Sequence, residues 1–317
     1  MKKISFTSRQ KDTYILRYLL FACMIFSLIV MGCATKEITT PPMSNEPAVE
    51  LLLTPAETIT TGEPVELTII GYDANGNQTN AIGTIEWTYT GLSGSLENST
   101  FTPEKSAGAH AGTVTAKSGE MNATSRIRVI PSLPWTEDFE SIELEKIPTH
   151  WIGATNKFFV REIDGRKVLV KTPAQRGLDR SNVYIGPSTM KDYQIQIDLL
   201  GKRDKRRVPD MGLIANRYTL DMQGRHQRLQ IRSWASDLRM AKTIDFKWET
   251  DVWYTMKMKV EVLEDKAVIS GKVWRTDESE PDDWTITAED PLPNREGSPG
   301  IYGYSPANIY YDNLKVW

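Results

Sequence analysis

Residues 252–263 read VWYTMKMKVEVL. Taken with a period of two, Tyr254, Met256, Met258, Val260 and Val262 fall on one side. Trp253, Thr255, Lys257, Lys259 and Glu261 fall on the other. That alternation belongs to a strand with one buried face and one wet face; a helix would repeat every 3.6 residues. Working outward, DYQIQIDLLG (192–201) sets Tyr193, Ile195, Ile197 and Leu199 against Gln194, Gln196 and Asp198. VISGKVW (268–274) sets Ile269, Gly271 and Val273 against Val268, Ser270, Lys272 and Trp274. RHQRLQIRSW (225–234) sets Leu229 and Ile231 against Arg228, Gln230, Arg232 and Trp234. Helical periodicity is absent throughout, so residues 132–317 are predicted to form one β-sandwich of jelly-roll size.

Residues 48–131 carry shorter runs, among them VELLLTP, PVELTIIGYD, TIEWTYTG, GTVTAKSG and SRIRVIP. DANGN (73–77) and KSGEMN (117–122) are turn signals between them. A second, smaller β-sandwich is predicted here, so the expected fold class is all-β. Residues 33–47 are rich in Pro, Thr and charge and predict a flexible tether.

Residues 1–32 read as a targeting segment. Lys2, Lys3, Arg9, Lys11 and Arg17 precede the apolar run YLLFACMIFSLIVM, which is short for a membrane span. The only cysteines, Cys23 and Cys33, fall in or beside this segment. The chain beyond Cys33 therefore has no thiol for a disulfide, a nucleophile or a metal.

Several stretches resemble known families. VMGCATKE (30–37) resembles a bacterial lipoprotein signal. That resemblance implies cleavage before Cys33, lipidation of Cys33 and attachment to a membrane of the bacterial cell envelope. Ala34 follows in place of an aspartate, which points to the outer membrane. Residues 48–131, through Gly62, Asp73–Gly76, Trp87 and Gly112, resemble the bacterial Ig-like domains of surface proteins, which implies a spacer. WTEDFES (135–141), PTHWIGA (148–154) and GSPGIYGYSPANIYYDNLKVW (297–317) resemble concanavalin A-like, or laminin-G-like, jelly rolls. In those folds the first and last strands pair. DMGLIANRY (210–218) is similar to the 3-keto-disaccharide hydrolase-like branch, though Asp210-Met211 stands where that branch usually has Asn-Ser.

Catalytic patterns are sparse. The Glu-x-Asp-x-x-Glu motif of family-16 glycosidases does not occur, and His110, His150 and His226 lack metal-ligand spacing. The basic stretch 202–239 holds ten Lys or Arg against four Asp. Guanidinium groups grip carboxylates and sulfates in a two-pronged fashion, so this stretch suits an acidic glycan or an anionic lipid head group. The whole chain carries a net charge of −3, but residues 1–32 carry +4, so the rest carries −7, which argues against nucleic acid.

The outward residues Gln196, Arg228, Gln230, Arg232, Trp234, Lys257 and Trp274 are the expected ligand-binding set. Indoles stack on sugar rings while Gln and Arg take hydroxyls and carboxylates. The jelly-roll resemblance further implies a structural Ca²⁺, with Glu137, Asp138 and Asp312 as its oxygen ligands. The expected function is glycan recognition without catalysis. A hydrolase using Asp198, Asp210 or His226 is the alternative, and a lipoprotein that binds a protein partner is the third reading. The acidic run TDESEPDDW (276–284) is expected to be a solvated loop, or an internal partner for the basic loop.

Overall fold

The computed structural model describes residues 43–173, 180–234 and 238–317. The signal segment and Cys33 lie outside the described residues, as does the side chain of Trp234. Every regular element among the described residues is a strand, and the fold is all-β.

Turn residues cut the first part of the chain into short strands. These are β1 (Glu50–Thr54), β2 (Glu57–Thr60), β3 (Val65–Glu66), β4 (Thr68–Tyr72), β5 (Gln78–Thr79), β6 (Glu86–Thr90), β7 (Gly94–Glu97), β8 (Thr100–Pro103), β9 (His110–Ser118) and β10 (Met121–Val129). They pair as β1-β4-β5, β2-β10-β9-β6 and β3-β8-β7. Asp73 shapes the turn between β4 and β5 by accepting from the amides of Asn75 and Asn77, both at 2.9 Å. Leu51, Leu53, Phe101, Val114 and Ile127 form the core between the sheets, and Trp87 packs half-buried against it.

The remaining strands are longer. They are β11 (Trp135–Glu137), β12 (Phe158–Ile163), β13 (Arg166–Lys171), β14 (Arg180–Tyr184), β15 (Gln194–Gly201), β16 (Asp210–Ala215) and β17 (Tyr218–Gln223). They continue as β18 (Arg228–Trp234), β19 (Leu238–Asp245), β20 (Trp253–Val262), β21 (Ala267–Arg275), β22 (Ile286–Asp290), β23 (Gly300–Tyr304) and β24 (Ile309–Val316). One sheet runs β12-β13-β24-β15-β20-β21-β22, with β11 beside the end of β24. The other runs β14-β23-β16-β17-β18-β19. The strands cross between sheets out of sequence order, as a jelly-roll sandwich requires. Trp135 pairs with Val316, so the first strand of this sandwich closes on the last.

The alternating apolar residues meet between the two sheets. Ile195, Ile197 and Leu199 of β15 and Met256 and Met258 of β20 are completely buried. Across the gap lie Leu213, Leu220, Leu229 and Ile231 of β16, β17 and β18. Burying each such side chain stabilises the fold by about 1.5–3 kcal/mol. Gly271 is one place where the two sheets pack tightly. A Cβ there would lie 2.6 Å from a methyl of Leu220, so only glycine leaves that leucine room.

One irregularity matters for the site residues. Pairing of β15 with β24 shifts register between Gln196 and Asp198, and Asn313 takes a φ of 51°. This bulge lets Tyr311 and Leu314, three apart, both point into the core. Asp312 is thereby turned outward.

Candidate functional site

The six-stranded sheet carries three cross-strand rows on its outer face. Arg180, Tyr304, Asp210, Gln223, Arg228 and Asp245 form one row. Asn182, Tyr302, Gly212, Asp221, Gln230 and Thr243 form the next. Tyr184, Gly300, Ile214, Thr219, Arg232 and Ala241 form the third. A cavity of about 450 Å³ opens over the third row, lined by Arg180, Arg217, Arg232, Tyr302, Thr219 and Ser298 among others.

Each cation reaches this cavity for a local reason. Arg217 sits in the two-residue turn between β16 and β17, where Asn216 and Arg217 both have positive φ, 45° and 63°. That geometry fits the right-handed twist of a tight hairpin. The turn is clamped from below: the Tyr193 hydroxyl accepts from the Asn216 amide at 3.1 Å and donates to the Gly297 carbonyl at 2.7 Å. A Cβ at Gly297 would stand 2.9 Å from the Arg217 nitrogen, so glycine lets the incoming loop pass. Arg180 lies over the rings of Tyr304 and Tyr302, at 5.4 and 6.0 Å. Arg232 lies 4.7 Å from the centre of the Tyr302 ring.

Arg232 and Asp221 form a buried ion pair between adjacent strands. Gln230 joins it, its carbonyl oxygen accepting from Gln223 at 3.3 Å and from Arg232 at 3.4 Å. Burial raises the Asp221 pKa, opposed by the Arg232 charge. Burial, and then the charge of Asp221, push Asp210 up to about 6. The same two causes push Tyr302 up to about 12. The Tyr302 hydroxyl and the second oxygen of Asp221 are buried and make no hydrogen bond among the described residues. Buried polar groups ordinarily have partners, and a lone one marks a place for water or ligand.

The expected ligand set is divided by this architecture. Arg228, Gln230 and Arg232 share the outer face of the six-stranded sheet, and β18 also carries Trp234. Gln196, Lys257 and Trp274 lie on β15, β20 and β21, on the outer face of the opposite sheet. The structure does not bring the two groups together, because the core lies between them. On that opposite face the acidic loop folds down over Lys257 and Lys272. Glu280 pairs with both at 3.0 Å, and Lys272 donates to the Pro281 carbonyl at 2.6 Å. The acidic run therefore covers this sheet instead of meeting the basic loop at 202–207.

The calcium set does not assemble either. Glu137 pairs in register with core residue Leu314, whereas the bulge turns Asp312 to the other face. Glu137 accepts from the Phe139 amide at 2.9 Å, Asp138 accepts from the Glu140 amide at 3.1 Å, and Asp312 lies 3.4 Å from Arg166. These carboxylates are engaged in turns and an ion pair, and the residues do not fit a shared ion. Among the described residues no group of three acidic, His or Cys side chains is arranged for a metal.

Of the hydrolase candidates, Asp198 lies outside the other sheet, bonded to Thr255 at 2.6 Å and Asn313 at 2.8 Å. His226 is exposed in the turn before β18. Asp210 alone stands near the cavity. The residues missed by sequence are Arg180, Tyr302 and Asp221; Arg217 falls within the basic stretch but not in the expected ligand set. Alternation in YTLDMQ (218–223) does point Thr219, Asp221 and Gln223 outward, and a carboxylate inside so apolar a strand was the available signal.

No family model and no curated protein matches this chain. Among solved structures it is similar to lectin II from Ulex europaeus, at 9% identity over 57% of this chain and 97% of that one, with a TM-score of 0.38. It is also similar to an uncharacterized protein from Mycobacterium paratuberculosis, at 12% identity over 58% of this chain and 99% of that one, with a TM-score of 0.39. The metal-free carbohydrate recognition domain of Emp46p aligns at 8% identity over 57% of this chain and 94% of that one, with a TM-score of 0.37. Likenesses this loose do not identify a ligand for this chain.

Proposed function

We propose that the chain is a noncatalytic receptor for an acidic glycan, bound in the cavity on the outer face of the six-stranded sheet. The observation that carries this reading is the convergence of Arg180, Arg217 and Arg232 on one cavity whose lining, among the described residues, has no carboxylate. Arg180 and Arg217, neither in an ion pair among the described residues, supply two-pronged donors for a carboxylate or sulfate beside Arg232, whose charge is shared with Asp221, while Asn182, Thr219 and Ser298 offer amide and hydroxyl partners for the ring. The ring of Tyr184, exposed on the cavity lining, suits the apolar side of a pyranose.

In this reading Cys33 anchors the protein by lipid to the cell envelope, at the outer membrane. Residues 33–47 are the tether, residues 48–131 an Ig-like spacer, and residues 132–317 the binding domain.

A second reading, hydrolysis of the 3-keto-disaccharide type, is favoured by one observation. Asp210 and Asp221 stand on neighbouring strands one row apart, and Asp210 is raised to about 6. A carboxyl with such a value is suited to general acid work, although Asp221 is locked to Arg232.

A glycan panel screened with the full chain and with Arg217→Ala tests both readings. The expected result is saturable binding to uronate- or sulfate-bearing glycans, weakened about tenfold in the variant, with no product on chromatography. Selective binding of neutral glycans would overturn it. Product formation that is lost in Asp210→Asn would establish the second reading.

A further inference from the structure

The basic loop singled out in the sequence is not part of the cavity, yet it stands at the other end of the same strands. Asp204 and Arg207 bond to each other through their backbones at 3.0 and 2.8 Å, making a tight turn that holds Lys205 and Arg206 at its tip. The turn between β17 and β18 packs against the foot of this loop. Gly224 is the reason: a Cβ there would lie 2.3 Å from the Pro209 carbonyl, and its amide donates to Asp210 at 2.9 Å. Arg225 is thereby set beside the 203–207 loop. Arg203, Lys205, Arg206, Arg207 and Arg225 are all exposed, and none forms an ion pair among the described residues.

Strand β18 connects this end to the cavity. Its outward residues run Arg232, Gln230, Arg228, and Arg225 lies just beyond. Arg228 is half-exposed and only loosely paired with Asp245, at 3.8 Å. From Arg232 to Arg228 is about 13 Å at ~3.3 Å per strand residue, longer than one sugar ring. Asp221 contributes little repulsion along this line, because it is buried and neutralised by Arg232. Among the described residues two carboxyls beside the path are not paired by the cations: Asp210, which is bound to the Gly224 amide, and Asp204, exposed within the basic turn itself.

We infer that the ligand is a polyanionic chain several residues long, which runs along β18 from the cavity to the basic end, and not a single terminal sugar. This rests on the proposed function and extends it. The cavity holds one acidic residue, and the exposed cations of the two turns take the following ones. Linked contacts of this kind raise affinity with ligand length without any change at the first contact.

The test is calorimetric titration of the full chain with oligogalacturonates of two and of six units, on wild type, Arg206→Ala/Arg225→Ala and Arg217→Ala. The hexamer is expected to bind about tenfold or more tighter than the dimer. The loop double variant is expected to weaken hexamer binding far more than dimer binding, and its hexamer affinity should depend less on salt. Arg217→Ala is expected to weaken both. Equal affinity for dimer and hexamer, with the loop variant no different, would overturn the extended ligand and leave the cavity reading standing. Failure of both oligomers to bind would overturn both. Anionic phosphatidylglycerol vesicles form a further arm: vesicle binding lost in the loop variant, without oligosaccharide binding, would assign the basic end to a lipid surface and overturn the inference.

Discussion

Arg232 lies against the ring of Tyr302 and spends its charge on Asp221, so that one side chain links the floor of the cavity to the buried interior of the sheet. The side chains of this pair are 8% and 2% exposed, which means neither charge has water to fall back on. Arg232→Ala would leave Asp221 as an uncompensated buried carboxylate, at a cost of about 3–5 kcal/mol. Replacing both, as Arg232→Met with Asp221→Leu, removes the stranded charge and is expected to recover most of that loss. Urea unfolding of the three proteins measures the difference.

Asp210 makes binding depend on pH in a definite direction. Its carboxyl, raised to about 6, is ionised at neutral pH and lies within the field of Arg180 and Arg232. An acidic ligand is repelled by that charge. As pH falls through about 6 the carboxyl takes a proton, the repulsion ends, and affinity for an acidic oligosaccharide should rise several-fold between about pH 7 and pH 5. In Asp210→Asn the rise should be absent. Binding titrations at stepped pH check this.

His150 sets a separate dependence on acid. It is 4% exposed, its Nε2 has no hydrogen-bond partner among the described residues, and burial lowers its pKa from 6.5 to about 4. The unfolded chain therefore binds a proton that the folded chain refuses between those values. Stability from this group is present above pH 6.5 and is lost as pH falls toward 4, by about 3 kcal/mol in full. His150→Phe removes the titration, so its denaturation midpoint should fall less than that of wild type across this window.

Gly212 separates Tyr302 from Asp221 in the middle row of the site. A Cβ there would lie 1.8 Å from the Leu220 carbonyl, a backbone atom that cannot yield without breaking the β16–β17 ladder. Gly212→Ala is expected to destabilise by about 3 kcal/mol or more and to weaken ligand binding with it. Thermal melts with and without ligand measure both effects.

The strands were legible because a period of two is a local property. The alternation at 192–201 and 252–263 appears in the burial of Ile195, Ile197, Met256 and Met258 without correction. The grouping of outward residues was not legible. Gln196 and Gln230 look alike in sequence, each polar between two apolar neighbours. Which sheet each joins depends on pairing with strands far along the chain, such as β15 with β24. The metal set failed for a related reason. With an unbroken period of two, Asp312 would share the face of Leu314 and hence of Glu137. The bulge at Asn313 turns it away, and nothing local in DNLKVW announces that extra residue. Tyr302 was read only as part of a closing strand, since its partners Arg180 and Arg232 come from β14 and β18.

The central claim is that the guanidiniums of Arg180 and Arg217, beside the Asp221-paired Arg232, select a negative charge on a sugar. The most direct measurement compares an acidic oligosaccharide with its carboxyl-reduced counterpart, titrated into the full chain and into Arg217→Ala. The account predicts that the acidic form binds wild type about tenfold or more tighter than the reduced form, and that the variant loses most of this preference. Equal binding of the two forms to wild type would contradict it.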